Sequence, residues 1–94
     1  ITCPQKCILW INYYASSKND SSNTINTYGL FLNGQDKGIY AQASTPIANG
    51  AVPASLNATL PVNSGTHTVE IKTKTSSGTL QSDVSFLQVM AIEQ

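Results

Sequence analysis

The chain contains no arginine, and its five lysines balance five acidic residues over 94 positions. A nucleic-acid-binding face needs clustered basic residues that release counterions from phosphates. No such cluster exists, which excludes nucleic acid as a partner. The same lack removes a polybasic attachment to an anionic membrane surface. No apolar run approaches the ~20 residues of a membrane-crossing helix, so membrane insertion is not expected either. Charged residues make up only 11% of the chain, against about 25% in ordinary domains. Ser, Thr and Asn replace them as solvating groups, a composition associated with extracellular and virion proteins.

Catalytic constellations are missing too. There is no Gly-Xaa-Ser-Xaa-Gly elbow and no phosphate-cradling glycine loop. The single histidine, His67, heads a row continued by Val69 and Ile71, which reads as the edge of a core. A general base needs an orienting partner and a nucleophile in reach, and Glu70 points the other way. Asp20, Asp36 and Asp83 read as dispersed loop carboxylates without the dense Asp/Asn pattern of a calcium loop. The expectation is a protein that is not an enzyme and carries no cofactor and no metal.

The two cysteines lie in Cys3-Pro4-Gln5-Lys6-Cys7. Extended, their Cα atoms would stand roughly 13 Å apart, too far for a disulfide. A turn at Pro4 brings them within range, so a small-loop disulfide is expected. A zinc half-site would need a second ligand pair, and only His67 could contribute. Intermolecular bridges or free thiols are the remaining alternatives. A disulfide implies an oxidising compartment. The chain opens on Ile1 without Met or a signal pattern, and reads as a processed product or an excised domain.

What is abundant is strand signal. Runs at Ile8–Ala15, Thr27–Leu32, Gly38–Thr45, Ala54–Val62, Thr66–Thr75 and Val84–Glu93 are separated by turn residues. Asn33-Gly34 is a hairpin signal, and Asn49-Gly50, Ser64-Gly65 and Ser77-Gly78 punctuate the rest. Ser16–Asn26 reads as a polar loop. No stretch has helical period with a cap. The length bounds one domain, residues 1–94, with a cysteine-containing N-terminal segment at 1–7. The expected fold is an all-β antiparallel sandwich of jelly-roll or immunoglobulin-like topology.

Alternation assigns faces. Leu56, Ala58, Leu60 and Val62 share one side, with Ser55, Asn57 and Thr59 on the other. Glu70, Lys72 and Lys74 form a solvated face that also discourages edge pairing. Two strands are apolar on both faces. Ile8–Ala15 sets Leu9, Ile11, Tyr13 and Ala15 against Ile8, Trp10 and Tyr14. Val84–Glu93 sets Val84, Phe86, Met90 and Ile92 against Leu87, Val89 and Ala91. A two-layer sandwich covers one face of each strand, so a neighbouring subunit is expected on the other. The expected interface residues are Trp10, Tyr14, Leu87 and Val89; the competing reading is that the Ser16–Asn26 loop covers them. Trp10, Tyr13 and Tyr14 could alternatively form a sugar-stacking platform. Asn19-Asp20-Ser21 and Asn57-Ala58-Thr59 match the glycosylation acceptor pattern.

The segment "LPVNSGTHTVEIKTKTSSGTLQSDVSFLQVMAIEQ" carries a strand ending in Leu-Pro, then Ser-Gly-Thr-His-Thr-Val on an alternating strand, a Ser-Gly-Thr turn and an apolar closing strand. Over Leu60–Glu93 it resembles the last strands of small jelly-roll (TNF-like) head domains at the tips of trimeric phage and viral fibres and spikes. The Cys3–Cys7 element is not part of that pattern. The resemblance implies a homo-oligomer, a trimer, with the closing strand near the threefold axis. It also implies a location on the virion surface or outside the cell, and host attachment through a surface glycan or protein receptor. Rival expectations are an immunoglobulin-like subunit or adhesin domain of a cell-surface filament, and a carbohydrate-binding module.

Overall fold

The computed structural model describes residues 1–93, with the side chains of residues 82–84 outside the described set. Val84 and Asp83, read above as part of an apolar row and as a loop carboxylate, therefore lie outside the described side chains. Among the described residues there is no helix, and the strands run β1 (Thr2–Cys3), β2 (Cys7–Asn19), β3 (Thr24–Leu32), β4 (Gln35–Thr45), β5 (Val52–Val62), β6 (Gly65–Thr66), β7 (Val69–Thr75) and β8 (Leu80–Glu93). Two three-stranded sheets face each other, one ordered β5-β2-β8 and the other β4-β3-β7, and β1 pairs with β6 in a small two-stranded ribbon. All pairings are antiparallel.

The core follows the expected alternation. The inner row of β2, Leu9, Ile11, Tyr13 and Ala15, is buried against Tyr28, Leu30 and Leu32 of β3, with Ala41, Ala43, Ala54 and Leu56 closing the flanks. Tyr13 and Tyr28 cross between the sheets with ring centroids 5.6 Å apart, within the range of a favourable tilted pair. Small alanines on β4 and β5 let those strands lie against each other on one side of the sandwich. On the opposite side β7 and β8 barely touch. The sandwich is closed along one long side and open along the other.

Cys3 and Cys7 are bonded, with Cα atoms 6.1 Å apart. Both are buried in the core, so the small loop caps one end of the sandwich. Asn33-Gly34 makes the β3–β4 hairpin with both residues at positive φ, 52° and 81°, the backbone a type I′ turn demands.

Three expectations change. Ser16–Asn26 is not a loop: β2 continues to Asn19 and β3 begins at Thr24. The inner row of β2 simply turns polar, with Ser17 and Asn19 fully buried. The run Thr66–Thr75 is broken after Thr66 and resumes at Val69, leaving His67 between strands. Asp36 lies in β4 and Asp83 falls within β8, rather than in loops.

The polar end is satisfied internally. Asn19 Nδ2 donates to Asn26 Oδ1 at 3.2 Å, to Thr75 Oγ1 at 2.9 Å and to the Ser77 carbonyl at 2.9 Å. Asn26 Nδ2 donates to Ser17 Oγ at 2.8 Å, and Tyr28 OH donates to the same oxygen at 2.7 Å. The hydroxyls of Thr24 and Thr45 bond each other nearby. Among the described residues no buried side-chain polar atom lacks a partner, as a low-dielectric interior requires. Asn19 Oδ1 accepts from the Ser21 amide and Asp20 Oδ1 from the Thr79 amide, at 2.9 and 2.7 Å. These side chains crowd Gly78, where an added Cβ would lie 2.3 Å from Asn19 Oδ1.

This network yields a prediction. Asn26→Ala removes two donors and an acceptor while its partners stay buried, so it should cost about 1–3 kcal/mol for each group left unpaired. Tyr28→Phe should cost about 1 kcal/mol, because Ser17 keeps its bond from Asn26. Urea denaturation gives both values; unfolding midpoints equal to that of the parent chain would contradict the role assigned to the network.

Candidate functional site: an uncharged apolar sheet face

β2 is the central strand of its sheet, and its register fixes which side chains share each face. Directly paired residues of an antiparallel ladder point the same way. Trp10 pairs with Met90, Ile8 with Ile92 and Tyr14 with Phe86. These six side chains line the outer face of the sheet, and all except the half-buried Ile8 are exposed. Trp10 is 46% exposed and Phe86 55%. The β5 side of this face adds Ser55, Asn57 and Thr59 between Pro53 and Pro61. Across its middle runs an amide row: Asn57 pairs with Asn12, and Asn12 with Gln88. From Ile8 to Tyr14, from Pro53 to Pro61 and from Phe86 to Ile92, this face carries no charged side chain. A hollow of about 320 Å³ opens on it beside Trp10, Asn12, Asn57 and Thr59.

The expected interface residues divide between two faces. Trp10 and Tyr14 lie outward. Leu87 pairs with Tyr13 and Val89 with Ile11, which puts both in the inner row; the outward row is Phe86, Met90 and Ile92. This corrects the division expected from the sequence. Both rows of β8 are apolar, so alternation could not orient the strand. Only the pairing with β2, whose buried row is known, does so. Leu87 nevertheless stays 40% exposed, because it sits on the open side where β7 gives no cover. Neither row is covered by residues 16–26, which are largely built into β2 and β3.

Tyr13 is buried against Tyr28 and cannot join Trp10 and Tyr14 in a stacking platform. Of the acceptor asparagines, Asn19 is 0% exposed and fully engaged through its amide nitrogen, so the folded chain has no room for a glycan there. Asn57 is exposed midway along the edge strand β5, where a glycan would cover the hollow.

His67 is a clasp. Its Nδ1 lies 3.0 Å from Asn33 Nδ2, which donates to it, and its Nε2 lies 2.8 Å from the Asn63 carbonyl, to which it donates. Its backbone bonds Ile1 in both directions, at 2.7 and 2.9 Å. Asn33 also ties the hairpin to Thr68 through its Oδ1 and its backbone amide, at 2.9 and 2.8 Å. Both ring nitrogens hold the β1 end of the molecule together.

The outer face of the other sheet has a different character. The Tyr40 ring lies across Gly29, where a Cβ would come within 3.3 Å of it. Lys72 Nζ stands 4.5 Å over the Phe31 ring. The Asp36 carboxylate accepts from the Gly38 amide and from Tyr40 OH, both at 2.8 Å. The amide bond first, and the phenol second, hold the Asp36 carboxyl below its ordinary range. That same phenol is raised, chiefly by its bond to Asp36.

No protein-family model, no curated protein and no solved structure matches the chain.

The Asp36 contacts fix a pH dependence. A carboxyl with a lowered folded value adds stability above its unfolded value of about 3.9, and that stability is lost as pH falls through the lower folded value. Melting temperature followed from pH 5 downward should therefore fall less steeply in Asp36→Asn than in the parent chain. Identical acid limbs would show that the two bonds do not persist in solution.

Proposed function

We propose that this chain is a non-enzymatic structural head domain of jelly-roll type, displayed on a virion surface or otherwise outside the cell, that assembles with copies of itself. The observation that carries the proposal is the uncharged outer face of β2 and β8. Trp10, Met90, Ile92 and Ile8 on one side of the amide row, and Tyr14 and Phe86 on the other, put two clusters of large apolar side chains on one sheet face, and exposed apolar clusters rimmed by polar groups mark contact sites. Burying one such side chain contributes roughly 1.5–3 kcal/mol, and symmetry repeats the gain in each copy.

The winding of the chain supports jelly-roll topology over an immunoglobulin-like one. In an immunoglobulin-like sandwich, several consecutive strands are neighbours within one sheet. Here only β3 and β4 are. The consecutive pairs β2/β3, β4/β5 and β7/β8 each place one strand in either sheet, with β4 and β7 flanking β3 and β5 and β8 flanking β2. The jelly-roll reading draws on this alternation of consecutive strands between the two sheets; the two sheets hold six strands where a full double Greek key has eight. The buried Cys3–Cys7 disulfide suits an oxidising compartment. Host attachment is the use that the resemblance over Leu60–Glu93 implies. In that arrangement the β4-β3-β7 sheet, with Tyr40, Asp36 and Lys72 on its outer face, remains free to meet a receptor.

Trp10 is the only tryptophan and stands on the face in question, so it reports directly. Its emission should shift to the blue as concentration rises and return on dilution. Met90→Asp, which sets an unpaired charge beside Trp10, should abolish the shift while the far-UV circular dichroism of a β protein is kept. Emission independent of concentration in the parent chain, or a shift unchanged in Met90→Asp, would overturn the proposal.

A further inference from the structure

Two three-stranded sheets leave four edges: β4 and β5 on the closed side, β7 and β8 on the open side. An unprotected edge is a template for another strand, and proteins blunt such edges with charges, prolines, bulges or cover. Three of the four edges carry these devices. β4 has Asp36, Lys37 and a register shift opposite Gly29 and Phe31. β5 has Pro53 and Pro61. β7 has Glu70, Lys72 and Lys74. β8 is different. From Ser85 to Ile92 it has no charged residue, no proline and no glycine. Over the same stretch its pairing with β2 is unbroken, the one shift falling earlier, next to Ala15 and Ser17. This is also the side on which Leu87 of the inner row stays open to solvent and Val69, Ile71 and Val89 are only half-buried.

The sequence of this edge is nearly palindromic. Around Gln88 it runs Ser-Phe-Leu-Gln-Val-Met-Ala: small, large, aliphatic, amide, aliphatic, large, small. An isologous contact needs a surface complementary to itself, and an antiparallel strand pair is held by the side chains that stand directly opposite one another, apolar against apolar. β8 meets both needs. We propose that β8 pairs antiparallel with β8 of a second copy across a twofold axis at Gln88. The inference rests on the self-association reading above and gives it a symmetry, twofold rather than the threefold that the resemblance implies.

In that pairing Leu87 lies opposite the partner's Val89, Phe86 opposite the partner's Met90, and Ser85 opposite the partner's Ala91. The two Gln88 amides face each other, and each group is both donor and acceptor, so identical side chains can bond. The three-stranded sheets become one six-stranded sheet. The inner rows of both copies meet over the open sides, which covers Leu87 and Val89. The outer faces join into one surface of twice the width, and a second such pair laid against it completes a four-copy assembly with three mutually perpendicular twofold axes. Charge does not oppose this contact, because the stretch that pairs is neutral throughout.

The test is a cysteine at the proposed axis in the full chain. Gln88 is exposed and outward, so Gln88→Cys leaves the isolated fold unchanged. Directly opposed residues in an antiparallel pair have Cα atoms about 4.5–5.5 Å apart, within disulfide range. Gln88→Cys should therefore form a covalent dimer on mild oxidation, whereas Asn57→Cys, on the same face but at the other edge, should not. Backbone hydrogen exchange supplies a second readout without any substitution. In the associated state the amides of Ser85–Ala91 that point away from β2 should exchange at least about tenfold more slowly than on dilution, the factor that 1.4 kcal/mol gives. Failure to crosslink together with unprotected β8 amides overturns the edge pairing. If the Trp10 emission still shifts with concentration in that case, the face contact survives without the edge contact. Crosslinking with protected amides but a constant Trp10 emission upholds the edge contact and overturns the face contact.

Discussion

A two-layer sandwich has one interior. Every strand in it can bury one row of side chains and must leave the other to water or to another molecule. In this chain that constraint meets two adjacent strands, β2 and β8, that are apolar on both sides. The inner row of β2 is consumed by the core, from Leu9 to Ala15. Its outer row, together with Phe86, Met90 and Ile92, has no counterpart within the molecule. The side chains that hold the fold and the large apolar ones left facing water therefore alternate along the same two strands. A change of register by one residue would exchange the two sets.

The rest of the fold holds that register. At one end the Cys3–Cys7 bond and the His67 clasp pin β1, the β3–β4 hairpin and the start of β7 together. At the other end the buried network of Ser17, Asn19, Asn26, Tyr28 and Thr75 ties β2 to β3 and β7. A polar cluster of this kind is more selective than an apolar one, because a slipped strand would leave buried donors unpaired. The apolar middle supplies burial, and the two polar ends determine which residues are buried. The open side between β7 and β8 has neither device.

Much of this was legible in the sequence. Period-two alternation located the core row of β2 and the core face of β5, and Asn33-Gly34 located the hairpin. The doubly apolar character of β2 and β8 was legible as well, and the structure leaves one row of each exposed. Three features were not legible, each for a physical reason. Ser17 and Asn19 carry no apolar signal, so the end of β2 read as loop; what buries them is a set of partners distant in sequence, Asn26, Thr75 and Ser77. The break at His67 comes from hydrogen bonds to Ile1, Asn33 and Asn63, which no local pattern encodes. The orientation of β8 was ambiguous because both its rows are apolar. Alternation alone leaves Leu87 and Val89 free to face outward, and it is the pairing with Tyr13 and Ile11 that turns them inward.

Light scattering with a mass readout, taken across a dilution series of the unmodified chain, tests the central claim most directly. The account predicts an even multiple of the 10.0 kDa chain mass at high concentration, falling to the single-chain mass on dilution. A mass of 10.0 kDa at every concentration would contradict it, since the outer face of β2 and β8 would then be an apolar surface left in water. A stable threefold mass would keep the face contact and remove the twofold edge.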